Sequence, residues 1–303
     1  MLFSMVLFLL FAHHGIISQM NFLHEMDAQV IYMKIAALQM DIIENDREAN
    51  VVTMYRMMAE AAESRPDMIV LPELWDVGFY PEDVTAAADP DGKYARTLLS
   101  ELAAKYQVNI VGGSIANLIG RYAYNTSYVF DRTGHLVSTY HKTHLFGGEA
   151  DTFAAGDSMV MYELDGVRCA TIICYDVRFP EMVRTLAVSG VKILFVPAAW
   201  PVQRMLHWET LTRARAIENQ MFVVAVNGIG SFSDGITLGG MSRVIDPWGE
   251  VLSSASNERG IITANLRPGI LEEIRSSIHI YDDRRPEIYS RQIRHDGLSV
   301  ADR

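Results

Sequence analysis

The sequence predicts one mixed α/β domain whose strands and helices are arranged in layers. Amphipathic helical patterns separate some of the apolar strand patterns, while turn sequences at residues 131–134 and 165–166 join other strands as hairpins. A chain of 303 residues with 50% hydrophobic content can bury a large core, and no Pro/Ser-rich linker divides it. A simple alternation of strand and helix throughout the chain is therefore not predicted.

The elements begin at residue 34. Strand patterns cover residues 34–39 and 68–71, and an amphipathic helix at residues 49–62 lies between them. The apolar positions that predict the buried face of this helix are Val52, Met54, Tyr55, Met58 and Ala59. Further strands are predicted at residues 109–114, 122–130, 136–141, 159–164, 167–173, 192–196, 221–226, 239–244, 251–254 and 261–265, and further helices at 95–106, 180–189 and 204–219.

The overall charge and the first residues limit the possible partners. A net charge of -11 argues against a nucleic-acid surface, which needs clustered Lys and Arg. Residues 1–12 are apolar apart from Ser4, but no Lys or Arg precedes Lys34 as in a signal peptide, and the stretch is too short to cross a bilayer. We expect residues 1–32 to be a disordered extension before a functional start at Met33, residues 33–290 to be the domain, and residues 291–303 to be a tail.

The two cysteines, Cys169 and Cys174, lie on one predicted strand. Their odd spacing directs the two side chains to opposite faces, so they cannot form a disulfide with each other. Reduced thiols are typical of a cytoplasmic enzyme, with secretion as the minor alternative. No membrane association is expected.

Three polar residues follow apolar strand patterns. Cys174 lies between a strand pattern and a helix start at Pro180, where the N–H of Tyr175 could bind an oxyanion. Glu73 follows the strand at 68–71, and Lys142 follows the strand at 136–141. The alternative for Cys174 is a small buried residue without chemistry.

The local sequences around these residues identify a family. Leu-Pro-Glu ends at Glu73, His-Lys-Thr-His-Leu-Phe surrounds Lys142, and Cys-Tyr-Asp-Val-Arg-Phe-Pro-Glu begins at Cys174. In this order the three motifs closely resemble the nitrilase or carbon–nitrogen hydrolase superfamily, over residues 33–289. The resemblance implies a four-layer α-β-β-α sandwich, a homo-oligomer of two or more copies, and no cofactor or metal.

The resemblance also implies roles for the side chains. Glu73 would act as the general base, Cys174 as the nucleophile, and Lys142 with the N–H of Tyr175 as oxyanion donors. Glu149 is a candidate for the additional carboxylate that many members carry near the triad. Its alternative is a solvated loop acid.

The substrate is harder to predict. The cysteine motif and Tyr-Asp-Asp-Arg-Arg-Pro at residues 281–286 look like the ω-amidase group, which hydrolyses terminal amides of α-keto acids, whereas Phe-Gly-Gly-Glu at 146–149 departs from the Phe-Asp common in described members. N-carbamoyl hydrolysis stays open, and nitrile hydrolysis is less favoured because nitrilases typically have Cys-Trp-Glu. The candidate substrate-binding residues are Phe79, Tyr80, Arg178, Trp200 and Arg204.

Arg178 has two interpretations. It could bind the substrate carboxylate, or it could pair with Asp176 or Glu181 and hold the turn. Two other classes are weighed against an amidase: a Cys–His enzyme using His141 or His144, and a non-catalytic scaffold. The same two histidines could suggest a metal site, but their spacing on a strand end directs them to opposite faces and no further ligand completes a set.

Overall fold

The computed structural model of the protein describes residues 32–79, 83–233 and 235–289. The predicted tail lies outside these ranges, as does the predicted extension apart from Tyr32. The candidate residue Tyr80 also lies outside the described residues.

The described chain alternates between strands and helices, with hairpins between some strands. The strands are β1 (Met33–Gln39), β2 (Met68–Val70), β3 (Asp89–Pro90), β4 (Asn109–Val111), β5 (Ile115–Ile119), β6 (Tyr122–Phe130), β7 (Leu136–His141), β8 (Met161–Leu164), β9 (Val167–Thr171), β10 (Ile193–Ala198), β11 (Phe222–Asn227), β12 (Ile229–Ser231), β13 (Thr237–Gly239), β14 (Arg243–Ile245), β15 (Val251–Ser254) and β16 (Gly260–Leu266). The helices are α1 (Arg47–Glu63), α2 (Val84–Ala87), α3 (Lys93–Tyr106), α4 (Glu149–Thr152), α5 (Pro180–Val188), α6 (Met205–Asn219), α7 (Ile270–Ser277) and α8 (Pro286–Tyr289), with 3-10 turns at Cys174–Arg178 and Val202–Arg204.

Two sheets form the centre of the described structure. The first has the strand order β16-β1-β2-β4-β6-β5-β3, with β7 paired to β6, and the second has the order β15-β14-β11-β10-β9-β8. The central strands of both sheets are parallel, as in β1 with β2 and β9 with β10, while antiparallel strands extend each sheet outward. Parallel central strands place the loops after β2 and β9 at the carboxyl ends of their sheets, where sites form in such folds.

Three apolar interfaces confirm the predicted four-layer α-β-β-α sandwich. Alternation along β1 shows how they separate: Ala36 and Leu38 pack against the helices on one side, while Ile35 and Ala37 pack against the second sheet. The third interface lies between the second sheet and α5 and α6, where Trp208 is fully buried.

The buried face of α1 differs from the prediction. Val52 is 62% exposed and Tyr55 38% exposed, whereas Met54, Met57 and Met58 are buried against the first sheet. The helix is so rich in Met and Ala that two faces fit helical spacing, and contacts with the sheet decide between them. The prediction was right for Met54 and Met58, and wrong for Val52, Tyr55 and Ala59.

Two predicted strands differ in length from the observed ones. The strand predicted at 239–244 is divided into β13 and β14, because Gly240 and Met241 both have φ near +58°. The strand predicted at 167–173 ends at Thr171, and Cys174 itself has φ of +47°. Strands β3, β5 and β12 and helix α7 were not predicted; the three strands are short, and α7 buries only Leu271 and Ile274.

The glycine pair at 112–113 allows close backbone packing. Gly113 has φ of +60°, and a Cβ there would collide with the carbonyl oxygen of Pro72. The next residue, Ser114, accepts a hydrogen bond from Leu74 N at 3.0 Å and donates its own N–H to Pro72 O at 3.1 Å. This glycine therefore supports the loop that carries Glu73.

We expect Gly113→Ala to lower the free energy of unfolding by ~3 kcal/mol, because left-handed strain adds to an overpacked contact. Gly120→Ala is the matched control, since Gly120 has φ of +61° and open space around it. In Gly120→Ala the free energy of unfolding should fall only by the cost of the left-handed strain, roughly 1–2 kcal/mol. Urea unfolding would measure both, and equal losses would contradict the packing argument.

Candidate active site

The ammonium of Lys142 lies between two carboxylates in the protein interior. Its Nζ is 2.8 Å from Glu73 Oε1, and 2.7 and 2.8 Å from the two carboxylate oxygens of Glu149. None of the three side chains has exposed surface. Burial alone would lower the pKa of Lys142, but the charges of the carboxylates of Glu73 and Glu149 outweigh burial and raise it. The lysine is therefore held as a cation.

Glu73 is held by donors from both sheets. Its Oε1 accepts a hydrogen bond from Asn125 Nδ2 at 2.8 Å, and its Oε2 accepts one from Ala199 N at 2.7 Å. Asn125 lies on β6 of the first sheet, and Ala199 directly follows β10 of the second. Leu74, with φ of +45°, turns the chain sharply after the carboxylate. Asn125 was not predicted from the sequence, although a polar residue inside a buried strand pattern is a usable signal.

Glu149 begins α4 and is fully buried. Besides the two contacts with Lys142, its Oε2 accepts a hydrogen bond from Phe146 N at 2.5 Å. Burial raises the pKa of Glu149, the charge of Lys142 opposes this rise, and the charge of Glu73 adds to it. The alternative of a solvated loop acid is therefore wrong.

Cys174 opens the 3-10 turn after β9 and is 6% exposed. Burial and the charge of Glu73 raise its pKa well above the usual value, although Lys142 acts in the opposite direction. The sulfur is thus a neutral thiol at rest. Among the described residues, the N–H of Tyr175 has no hydrogen-bond acceptor, so it can bind a developing oxyanion.

The side chain of Asp176 connects the 3-10 turn that begins at Cys174 to the segment around Lys142 by hydrogen bonds. Its buried carboxylate accepts hydrogen bonds from Ile173 N at 2.9 Å, Tyr140 OH at 2.7 Å, Thr143 Oγ1 at 3.1 Å and His144 N at 3.0 Å. These contacts fix the two motifs relative to each other.

The two histidines have other partners than Cys174. His144 Nδ1 lies 2.8 Å from Asp176 Oδ1 and its ring stacks on Phe179, while His141 Nδ1 lies 2.8 Å from Thr126 Oγ1. In the described ranges neither histidine forms a hydrogen bond with Cys174, which removes the geometric basis for a Cys–His dyad. The described residues also contain no cluster of three His, Cys, Asp or Glu side chains suited to a metal ion.

A pocket of about 410 Å³, including its open mouth, leads to Cys174. Four of the five candidate substrate-binding residues line it with Tyr175, and Phe146, Pro201 and Ile236 are lining residues that were not predicted from the sequence. The four are Phe79, Arg178, Trp200 and Arg204.

Two guanidinium groups border this pocket. Arg178 lies 4.7 Å above the Trp200 ring, and both of its terminal nitrogens are 3.3 Å from His207 Nδ1. Arg204 lies 5.0 Å from the Phe146 ring. Within the described chain neither arginine forms an ion pair, so the predicted alternative in which Arg178 pairs with Asp176 or Glu181 is wrong. Burial lowers the pKa of Arg178, and nearby Arg204 lowers it further. Both arginines can therefore receive an anion.

The four layers and this acid–lysine–cysteine cluster together define a hydrolase of carbon–nitrogen bonds other than peptide bonds. A sequence profile described as carbon-nitrogen hydrolase matches residues 34–276. The chain belongs to the carbon–nitrogen hydrolase family, within the nitrilase superfamily.

Curated and structural relatives agree with this assignment. The chain is 40% identical over 257 residues to the 2-oxoglutaramate amidase of Bacillus subtilis (strain 168), covering 84% of this chain and 98% of the relative. Saccharomyces cerevisiae Nit3, a member of branch 10 of the nitrilase superfamily, superposes with a TM-score of 0.79 at 28% identity, covering 84% of this chain and 97% of that chain. A mutant of the amidase from Nesterenkonia sp. AN1, with acrylamide added to its active-site cysteine, gives a TM-score of 0.72 at 27% identity, covering 82% of this chain and 98% of that chain. No helix among the described residues is both long and apolar enough to cross a membrane.

We expect Lys142→Met to lower the free energy of unfolding by ~3–5 kcal/mol at pH 8, because it leaves two buried carboxylates without a cation. Without the lysine, the pKa of Glu149 would rise further above its unfolded value. Ionised Glu149 then destabilises the folded state. This destabilisation is complete above the folded-state pKa of Glu149 and disappears as the pH falls toward the unfolded-state pKa. Urea unfolding should therefore show a smaller loss at pH 5 than at pH 8.

Lys142→Met/Glu149→Gln is the matched double variant, since it removes one of the two opposing charges. It should recover part of the stability at pH 8. A loss that is independent of pH and unaffected by the second change would show that packing dominates over charge.

Proposed function

We propose that the protein is a thiol amidohydrolase that cleaves the terminal carboxamide of a small α-keto acid amide, such as 2-oxoglutaramate, to a carboxylate and ammonia. The observation that carries this proposal is the buried Glu73–Lys142–Glu149 cluster beside Cys174, at a small pocket bordered by two guanidinium groups. The name of the similar amidase from Bacillus subtilis supports the substrate class.

In the first half-reaction, Glu73 takes the proton of the Cys174 thiol as the sulfur adds to the amide carbon. The resulting oxyanion is bound by the ammonium of Lys142 and the N–H of Tyr175. Protonated Glu73 then gives its proton to the amide nitrogen, the C–N bond breaks, and ammonia leaves a thioester on Cys174. A neutral resting thiol suits this concerted transfer, since the proton must be available for the leaving nitrogen.

In the second half-reaction, a water molecule replaces ammonia in the pocket. Glu73 removes its proton as the oxygen adds to the thioester carbon, and the same two donors bind the oxyanion. The C–S bond breaks, the carboxylic acid leaves, and Glu73 returns the proton to the sulfur of Cys174. Glu149 orients the ammonium through both of its oxygens and keeps it charged.

The guanidinium groups of Arg178 and Arg204 account for the keto acid end of the substrate. The amide carbon must lie beside Cys174, which places the remote carboxylate toward the pocket mouth. A guanidinium binds a carboxylate with two parallel hydrogen bonds, and the Trp200 ring beneath Arg178 limits where that guanidinium can lie. Phe79 and Trp200 would enclose the carbon chain.

We expect Cys174→Ala to abolish ammonia release from 2-oxoglutaramate, because it removes the nucleophile. Cys169→Ala is the control: Cys169 is buried between the two sheets, so the change should reduce stability while most activity remains. Comparable activity in the two folded variants would contradict the assignment.

Assays of 2-oxosuccinamate, glutamine, an N-carbamoyl amino acid and a simple nitrile would define the substrate class, and a preference for the last two would overturn the keto acid proposal.

We expect Arg178→Met to raise KM for 2-oxoglutaramate by about 10- to 100-fold, the value of a charge-assisted hydrogen bond. The KM for an uncharged short-chain amide should change little, because that substrate has no carboxylate. Arg267→Met serves as the control, since Arg267 pairs with Glu273 on the surface. Equal losses on both amides would mean that Arg178 is structural, and Arg204 would then be the next residue to test.

We also propose a homo-oligomer of at least two copies. Three large apolar side chains are exposed on α6 and the neighbouring turn: Leu206 is 76%, Ile217 48% and Trp248 49% exposed, and Thr210 and Arg213 lie on the helix surface between Leu206 and Ile217. The side chain of Ile217 lies directly against Gly249, so the helix and the turn form one surface. Large apolar side chains exposed near one another support a contact surface between copies of the chain.

Light scattering should therefore give a mass of at least twice the 34.0 kDa chain. Leu206→Glu should reduce this mass, whereas Val52→Glu, a matched change on the outer face of α1, should not. A monomeric wild type would refute the proposal.

A cytoplasmic location is part of the same proposal. Both cysteines are free thiols, and Cys174 must stay reduced to act. Cell fractionation that places the protein outside the reducing compartment would contradict this location.

A further inference from the structure

The main chain of Trp200 is paired with the side chain of Asn227. Strands β10 and β11 run parallel as far as Ala198 and Asn227, where both strands end. Two residues further along, Trp200 N donates to Asn227 Oδ1 at 2.7 Å, and Asn227 Nδ2 donates to Trp200 O at 3.1 Å. The amide of Asn227 therefore continues the pairing of the second sheet into the loop that forms one wall of the pocket.

The hydrogen-bonding groups of Asn227 are all in use. The residue is fully buried, and its Nδ2 also donates to Gly240 O at 2.8 Å. Its main-chain N–H donates to Ser242 Oγ at 3.0 Å, and its carbonyl oxygen accepts from the same hydroxyl at 3.1 Å. Because every group has a partner, the amide is held in one orientation. Loss of this side chain would leave the buried N–H of Trp200 without the acceptor that it has among the described residues, so the loop would shift.

Trp200 in turn contacts both arginines that border the pocket. Its ring lies 4.7 Å beneath the Arg178 guanidinium, and its Nε1 donates to the main-chain oxygen of Arg204 at 2.8 Å. The ring is also packed against Trp208, with 5.5 Å between the ring centroids. The position of the Trp200 main chain therefore helps to set where both guanidinium groups lie.

We infer that Asn227 is a positioning residue for the substrate carboxylate: through Trp200 it holds the Arg178 guanidinium at the distance from Cys174 that the substrate spans. Both ends of the substrate would then be placed by one sheet. Cys174 follows β9, which pairs with β10, and Trp200 is fixed to the end of β11. The inference rests on the proposed function, because it requires a substrate whose carboxylate is bound by Arg178.

The test is a double-mutant cycle that combines Asn227→Ala with Arg178→Met, with KM measured for 2-oxoglutaramate and for butyramide, which has no carboxylate. We expect Asn227→Ala to raise KM for 2-oxoglutaramate roughly tenfold, because a small displacement of a binding group weakens its contact. The KM for butyramide should change by less than about twofold. In the Arg178→Met background, Asn227→Ala should raise KM for 2-oxoglutaramate by less than about twofold, since the group that it positions is already gone.

Asn50→Ala is the matched control. Asn50 is fully buried on α1, and its amide makes the same pattern of contacts: it accepts from Ile43 N at 2.8 Å and donates to Ile43 O at 2.7 Å and to Asp76 O at 3.0 Å. Neither Ile43 nor Asp76 lines the pocket. Asn50→Ala should therefore lower the melting temperature, as Asn227→Ala does, but keep the ratio of the two KM values. Asn227→Ser, which is also too short to pair with Trp200, is the second variant if the alanine fails to fold.

An unchanged KM in a folded Asn227 variant, an equal rise for both amides, or additive effects in the double variant would overturn the role of Asn227 and leave the proposed function standing. A changed KM ratio in Asn50→Ala would do the same. If Arg178→Met alone keeps the wild-type KM for 2-oxoglutaramate, the proposed carboxylate contact is wrong, and this inference fails with it.

Discussion

The burial of the Lys142 ammonium sets what the surrounding structure must provide. A cation removed from water costs several kcal/mol unless charged partners and hydrogen bonds compensate it. Here the partners come from separate segments, Glu73 after β2 and Glu149 on α4. The second carboxylate then requires donors of its own, and Ala199 N supplies one from the opposite sheet. The charged cluster therefore forms only when the two sheets stack on each other.

The backbone next to Glu73 and at Cys174 itself is strained. Leu74, four residues after the end of β2, and Cys174, three residues after the end of β9, both adopt left-handed conformations. For a residue other than glycine this costs roughly 1–2 kcal/mol, which the packed core around each turn must offset. In return, the loops after β2 and β9 turn sharply and bring Glu73 and Cys174 close enough for the two groups to interact electrostatically. Hydrogen bonds from Asn125 on β6 and Ala199 after β10 anchor Glu73 to both sheets.

Local sequence was enough to predict Glu73, Lys142 and Cys174 at strand ends, and the family resemblance supplied the four layers. Contacts between segments distant in the chain could not be predicted from local sequence. Asn125 meets Glu73 across two strands of the sheet, and the stacking of Arg178 on Trp200 depends on how β9 and β10 lie side by side. The buried face of α1 was misassigned for a related reason, since only the sheet distinguishes its two apolar faces.

The pairing of β1 with β16 has a consequence for how the chain is made. β1 is the first strand of the described structure, and its outer edge is covered only by β16, where Leu38 pairs with Ile261. At synthesis rates of roughly 5–20 residues per second, that edge stays open for on the order of ten seconds or more on the ribosome. Unpaired strand edges are templates for association with other chains. The nascent protein is therefore most vulnerable to aggregation during this interval, when a chaperone that shields the edge of β1 would help it most.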